Sequence, residues 1–158
     1  MIDARDTRGR HRTGPICLRQ LRLAALKRLP HLEHATLQGR SILIVEDNPV
    51  IVMDITLAFE HSGAQLTITN TLKHALLLAE HDGLSAAILD HSLGSDDSSL
   101  LRKRLTERGI PYMIYSGYPK SNDAPDDLVH LSKPASHEKI VATMEGLIRH
   151  TEDALPKK

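Results

Sequence analysis

From Ser41 onward the chain alternates short apolar runs with helical stretches, and this alternation limits the fold more than any other feature. Ser-Ile-Leu-Ile-Val at 41–45 is a short apolar run rich in β-branched residues, which marks a strand buried on both faces. Asn48-Pro49 then opens a helix, with Asn48 placed to cap it and Pro49 at its first position. Ile51, Ile55, Leu57 and Ala58 are expected to face inward, and Ser62-Gly63 stops the helix. A second strand follows at 64–69, then a helix carrying Leu72, Ala75, Leu76 and Ala79 that ends at Asp82-Gly83. A third strand at 84–89 stops at Asp90, and residues 93–97 form a turn. A helix with Leu100, Leu101 and Leu105 ends at Gly109, and strands are expected at 110–115 and 128–131. The last helix, 136–149, carries Ile140, Val141, Met144, Leu147 and Ile148 on one side. Strands alternating with helices of this length form βαβ units. Their right-handed crossovers produce a parallel sheet covered by helices on both faces. The expected class is therefore α/β, with a doubly wound five-stranded sheet.

In such sheets chemistry gathers at the carboxyl ends of the strands. Strand one ends in Glu46-Asp47, strand three in Asp90, strand four in Ser116-Gly117 and strand five in Lys133-Pro134. Three carboxylates, one hydroxyl and one amine thus converge on one rim. Clustered carboxylates repel unless a cation joins them. An all-oxygen set of this kind suits Mg²⁺, which takes one or two carboxylates together with phosphate oxygens. Lys133 is placed to pair with a carboxylate at rest and with a phosphoryl oxygen afterwards, and Ser116 to bond a second one. The set reads as a phosphoryl-handling site with Asp90 as nucleophile. Any one acid at a strand end is ordinarily a cap or turn residue. The ordered recurrence of all of them carries the reading.

At residues 40–150 these motifs resemble the receiver domain of response regulators, the phospho-acceptor half of two-component signalling. "ILIVEDNP" is similar to the acidic-pair motif, "AAILDHSLG" to the acceptor strand, "YMIYSGY" to the switch-hydroxyl strand and "LSKPA" to the lysine turn. The resemblance implies a CheY-like, flavodoxin-type sheet in the order 2-1-3-4-5. It implies that Asp90 takes a phosphoryl group from a histidine kinase or phosphotransfer protein. Mg²⁺ would be bound by Asp47 and Asp90, by Glu46 mostly through water, and by the backbone carbonyl of Ser92. Ser116 would move toward the phosphoryl group, Lys133 would pair with it, and the bond to Pro134 would be cis. Ser92 and Tyr118 hold the two positions that tune hydrolysis.

The chain departs from the family at Gly94, where proline is usual, and at His130, where the switch residue is normally aromatic. Residues 117–127 hold Gly117, Pro119 and Pro125, so a loop or single turn is expected where most receivers have their fourth helix. Together with "IPYMIYSGYP" and "DHSLG", this resembles the FATGUY subgroup of single-domain regulators, with Ile114-Tyr115-Ser116-Gly117 standing where that group typically has Phe-Ala-Thr-Gly. Aspartyl-phosphate phosphatases usually carry a second Asp two residues past the nucleophile. Ser92 stands there, which argues against an enzyme of that class. A phosphorylation-independent adaptor is the other alternative.

The formal net charge is zero, yet residues 1–40 hold nine Lys/Arg against three acids, and the remainder hold eleven against seventeen. Residues 1–39 read as a basic extension with a short amphipathic helix at 16–29, and residues 151–158 as a polar tail. Three roles fit the extension: a quiet solvated arm or misassigned start, a helix packing on a kinase or on the acidic body, and contact with nucleic acid or anionic membrane. The nine residues after Arg149 leave no room for an output domain, so an unidentified downstream protein is the expected target. The single cysteine, Cys17, excludes an internal disulfide. No apolar window suits a membrane span or a signal-peptide core, so the cytoplasm is expected. The ten histidines are scattered without metal-ligand spacing.

Overall fold

The computed structural model describes residues 37–91, 98–120, 125 and 128–154. The expected helix at 16–29, the turn at 93–97 with Ser92 and Gly94, and most of the 117–127 connection lie outside these residues.

Chain order runs β1 (Ser41–Val45), α1 (Pro49–Phe59), β2 (Gln65–Thr69), α2 (Leu72–Leu78), β3 (Leu84–Asp90), α3 (Ser99–Glu107), β4 (Tyr112–Ser116), β5 (Val129–Ser132) and α4 (His137–Ala154). All strand pairs are parallel, and the sheet order is β2-β1-β3-β4-β5. That is the doubly wound class expected from the alternation. Four helices stand among the described residues, and none of them lies between β4 and β5. The chain leaves β1 for β2 on one side and for β3 on the other, so the switch point opens beside the end of β1.

Side chains alternate across a strand, and the two resulting faces build two separate cores. Ile42, Ile44, Ala86, Ile88, Met113, Tyr115 and Leu131 pack with α1 and α4 through Ile55, Phe59, Ile140, Val141, Met144 and Ile148. Leu43, Val45, Ala87, Leu89 and Ile114 pack with α2 and α3 through Ala75, Ala79, Leu101 and Leu105. Both cores are aliphatic, apart from Phe59 and Tyr115 on the first side and partly buried Tyr112 on the second.

Several element limits differ from expectation for physical reasons. On α1, Phe59 faces the core and Leu57 is exposed. The helix is apolar nearly all round, so its sequence offers no polar stripe to fix the inward side. Strand β4 starts two residues late because Pro111 has no N–H to give the ladder and Ile110 N bonds back to Leu105 O at 2.9 Å. Strand β5 starts at Val129 because Leu128 N closes a turn on Pro125 O at 3.1 Å. Helix α4 runs past Arg149 to Ala154, so residues expected in a polar tail are helical. Thr151 Oγ1 donates to Leu147 O at 3.0 Å there, and Glu152 pairs with Arg40 at 2.5 Å.

Candidate functional site

Each site residue is delivered by a strand end. Glu46 follows buried Ile44 by two residues, Asp90 follows Ile88 and Lys133 follows Leu131. The period of two therefore carries all three toward the α1/α4 side of the rim. Asn48 fixes the first connection: its side chain accepts from Val50 N at 3.0 Å, and its own N–H donates to Glu46 Oε1 at 3.0 Å. The second oxygen of Glu46 accepts from Lys133 Nζ at 2.7 Å, so both oxygens of this buried carboxylate are engaged.

Lys133 Nζ also donates to Asp90 Oδ1 at 2.9 Å, bridging the two acids. Burial works against the ammonium and is the largest single influence. The hydrogen bonds and charges of Glu46 and Asp90 together outweigh it and raise the Lys133 pKa above the ordinary lysine value. Lys133 N donates to Ser116 O at 2.8 Å, which ties the lysine turn to the end of β4. The Lys133-Pro134 peptide bond is cis.

Ligand oxygens of Glu46, Asp47 and Asp90 all lie within 4.8 Å of one another. Asp47 is exposed, whereas Glu46 and Asp90 are nearly covered. An all-carboxylate group with one exposed member suits a hard, partly hydrated cation such as Mg²⁺. With both Glu46 oxygens already engaged, Asp47 and Asp90 are the better placed direct ligands. Ser92 lies outside the described residues, so the position of its carbonyl is not part of this geometry.

Ser116 is buried, and its Oγ accepts from Tyr118 N at 3.1 Å. Tyr118 is exposed, with its ring 6.3 Å from that of His91 and tilted by 54°. His130 is half-buried on β5 opposite Ile114, away from the carboxylates. The structure thus brings Glu46, Asp47, Asp90 and Lys133 together, with Ser116 at the end of β4 tied to the lysine turn through its carbonyl and Tyr118 two residues on.

One residue escaped the sequence reasoning. Tyr115 sits under Lys133, its ring centroid 5.3 Å from Nζ, and its hydroxyl accepts from Ala135 N at 3.3 Å. The signal was available: Tyr115 follows Met113 by two and shares its face.

Solved structures with this architecture are numerous. The receiver domain of the sensor histidine kinase PA1611 from Pseudomonas aeruginosa, solved with magnesium in its active-site cleft, matches with a TM-score of 0.62 at 22% identity. The match covers 70% of this chain and 98% of that one. The fold is that of a response-regulator receiver domain. The response regulator PhyR from Brucella abortus shares the receiver fold with a TM-score of 0.66 at 22% identity, over 83% of this chain and 58% of that one. By sequence, the transcriptional activator protein PfeR of Pseudomonas aeruginosa is 28% identical over 132 residues, 78% of this chain and 43% of PfeR. The chain spans about half the length of the curated relatives it matches. No protein-family model matches it. Among the described residues no helix is long and apolar enough to cross a membrane.

Proposed function

We propose that this chain is a phospho-acceptor switch of a two-component phosphorelay, with Asp90 as the acceptor. The observation that carries the reading is the Lys133 ammonium bridging Glu46 and Asp90 beside the three-carboxylate group. A carboxylate oxygen of Asp90 attacks phosphorus in a phosphohistidine of a kinase or phosphotransfer protein. The new O–P bond forms as the P–N bond breaks, and the electron pair leaves with the imidazole. Lys133 exchanges its Asp90 contact for a phosphoryl oxygen, and the Ser116 hydroxyl donates to another. Asp47 and Asp90, with Glu46 behind them, would hold Mg²⁺, which supplies positive charge for the phosphoryl oxygens.

Output then proceeds by docking onto a further protein or by drawing phosphoryl groups from another regulator. PhyR from Bartonella quintana is an anti-anti-sigma factor with the same fold, which supports a protein target. The "DHSLG" segment and the proline-containing connection after Gly117 support a place near the FATGUY group. We assign Ser92 and Tyr118 to tuning of hydrolysis and His130 to the switch position. The extension expected at 1–39 is assigned to residues 1–36, because Leu37 is buried in the first core and Gly39 N donates to Gly63 O at 3.1 Å.

The test is incubation with Mg²⁺ and acetyl phosphate, read by intact mass and compared with Asp90→Asn. A Mg²⁺-dependent gain of one phosphoryl group, lost in the variant, is expected. An unmodified wild-type protein would favour the adaptor reading, and many turnovers of a small phosphoester would favour a phosphatase.

A further inference from the structure

Tyr115 is the large buried group at the site that phosphoryl transfer leaves without a role. It is 2% exposed and sits next to Ser116, paired in register with Asp90 on one side and Leu131 on the other. A buried phenol needs a partner for its oxygen, and here the partner is the backbone N–H of Ala135. The same ring lies beneath the Lys133 charge at 5.3 Å, inside the range at which an aromatic face attracts an ammonium. One side chain thus holds the Lys133–Ala135 turn at two points, the ammonium above the ring and the backbone two residues on.

We propose that Tyr115 is a positioning residue that seats Lys133 for its phosphoryl contact, through the ring face beneath the ammonium and the hydroxyl on the turn that follows. This rests on the phospho-acceptor reading. Lysine reaches the rim on a flexible four-carbon stem with three donors on its nitrogen. Two donors are held by Glu46 and Asp90, and the Asp90 contact is the one exchanged when Asp90 is modified. The ring is a neighbour that does not change during that event. It keeps the ammonium beside Asp90 while one hydrogen bond is exchanged for another. The ring supplies the larger part of the effect, since it acts on the charge itself, and the hydroxyl steadies the backbone that carries it.

The test uses the full chain with Mg²⁺ and beryllofluoride, comparing wild type with Tyr115→Phe and Tyr115→Leu. Tyr115→Leu should weaken beryllofluoride uptake about fivefold, and Tyr115→Phe should stay within about twofold of wild type. Mg²⁺ affinity alone should be the same in all three, because the carboxylates are untouched. Equal uptake by wild type and Tyr115→Leu, or a Phe variant as weak as the Leu variant, would overturn the proposal. A second reading is made on the wild-type protein by NMR and needs no variant to fold. The Lys133 ε-methylene protons should be shifted upfield by the Tyr115 ring, and ordinary lysine shifts would equally overturn the proposal. If the wild type takes up no beryllofluoride, the phospho-acceptor reading fails, while the ε-methylene shift still decides whether Tyr115 seats Lys133.

Discussion

Replacing Lys133 by methionine keeps the stem and removes the charge, so it isolates the ammonium between Glu46 and Asp90. Glu46 is 3% exposed and Asp90 9%, and each gives Lys133 a hydrogen bond acceptor below 3 Å. Removing one partner of a buried ion pair costs roughly 3–5 kcal/mol, because the remaining charge is stranded. Here two carboxylates are stranded against each other, but Glu46 keeps its bond from Asn48 N and the rim is partly wet. A loss near the lower bound, about 3 kcal/mol at neutral pH, is expected. For a domain of this size that is a drop of roughly 12 °C in Tm. Mg²⁺ at a hundredfold excess over its Kd should return about 2.7 kcal/mol to the variant, since it replaces the missing positive charge. The assay is urea unfolding of wild type and Lys133→Met in chelator and in excess Mg²⁺. A loss below about 1 kcal/mol in chelator would refute the buried-pair argument. A Lys133→Met protein that is no more stable in excess Mg²⁺ than in chelator would refute the carboxylate group as a cation site.

The folded pKa of Lys133 is raised, so its stabilisation is fully present below the unfolded value of about 10.4 and fades only as pH climbs through the folded one. The stability gap between wild type and Lys133→Met should therefore be flat from roughly pH 7 to pH 10, and a decline inside that window would contradict the raised pKa. Asn48→Ala removes the acceptor of Val50 N at the start of α1 and should cost about 1 kcal/mol in urea unfolding. Gly63→Ala forces a side chain onto a backbone at φ +76°, with the Cβ driven into the Gln38 side chain. It should cost about 2 kcal/mol, more than Gly83→Ala at φ +91°, where nothing lies within 4 Å.

How much of this was legible follows from what each element leaves in the sequence. Strand β1 is buried on both faces, so its four apolar residues, opened by Ser41 and closed by Glu46, marked both of its limits. Glu46, Asp90 and Lys133 were legible because each ends a strand whose core residues fix the side it faces. Asn48-Pro49 was legible because capping and a fixed φ are local properties. The orientation of α1 was not, because Leu57 and Phe59 differ in burial through tertiary packing against α4 and the sheet, not through any local pattern. The last turns of α4 were hidden too, since past Ile148 their residues carry no apolar pattern, and Glu152 meets Arg40 from more than a hundred residues away. Tyr115 passed for one more strand residue. Its two contacts belong to a turn that reaches it only when β5 lies down beside β4.

The alternation that builds the two cores also divides the site. Glu46, Asp90, Tyr115 and Lys133 continue the face that packs on α1 and α4, through Ile44, Ile88, Met113 and Leu131. Ser116 continues the opposite face through Ile114, which pairs with His130. Displacing Lys133 therefore loads the turn into α4, where Ala135 N rests on Tyr115 and helix His137–Ala154 begins two residues later. Displacing Ser116 loads the other side, because its Oγ holds Tyr118 N at the start of the connection to β5. The two movements meet at a single backbone bond, Lys133 N to Ser116 O. On the proposed acceptor role, a modification at Asp90 would have two outlets, on opposite faces of one sheet. Substituting Ser116 would sever one outlet while leaving the lysine bridge, and with it the stability of the resting rim, in place.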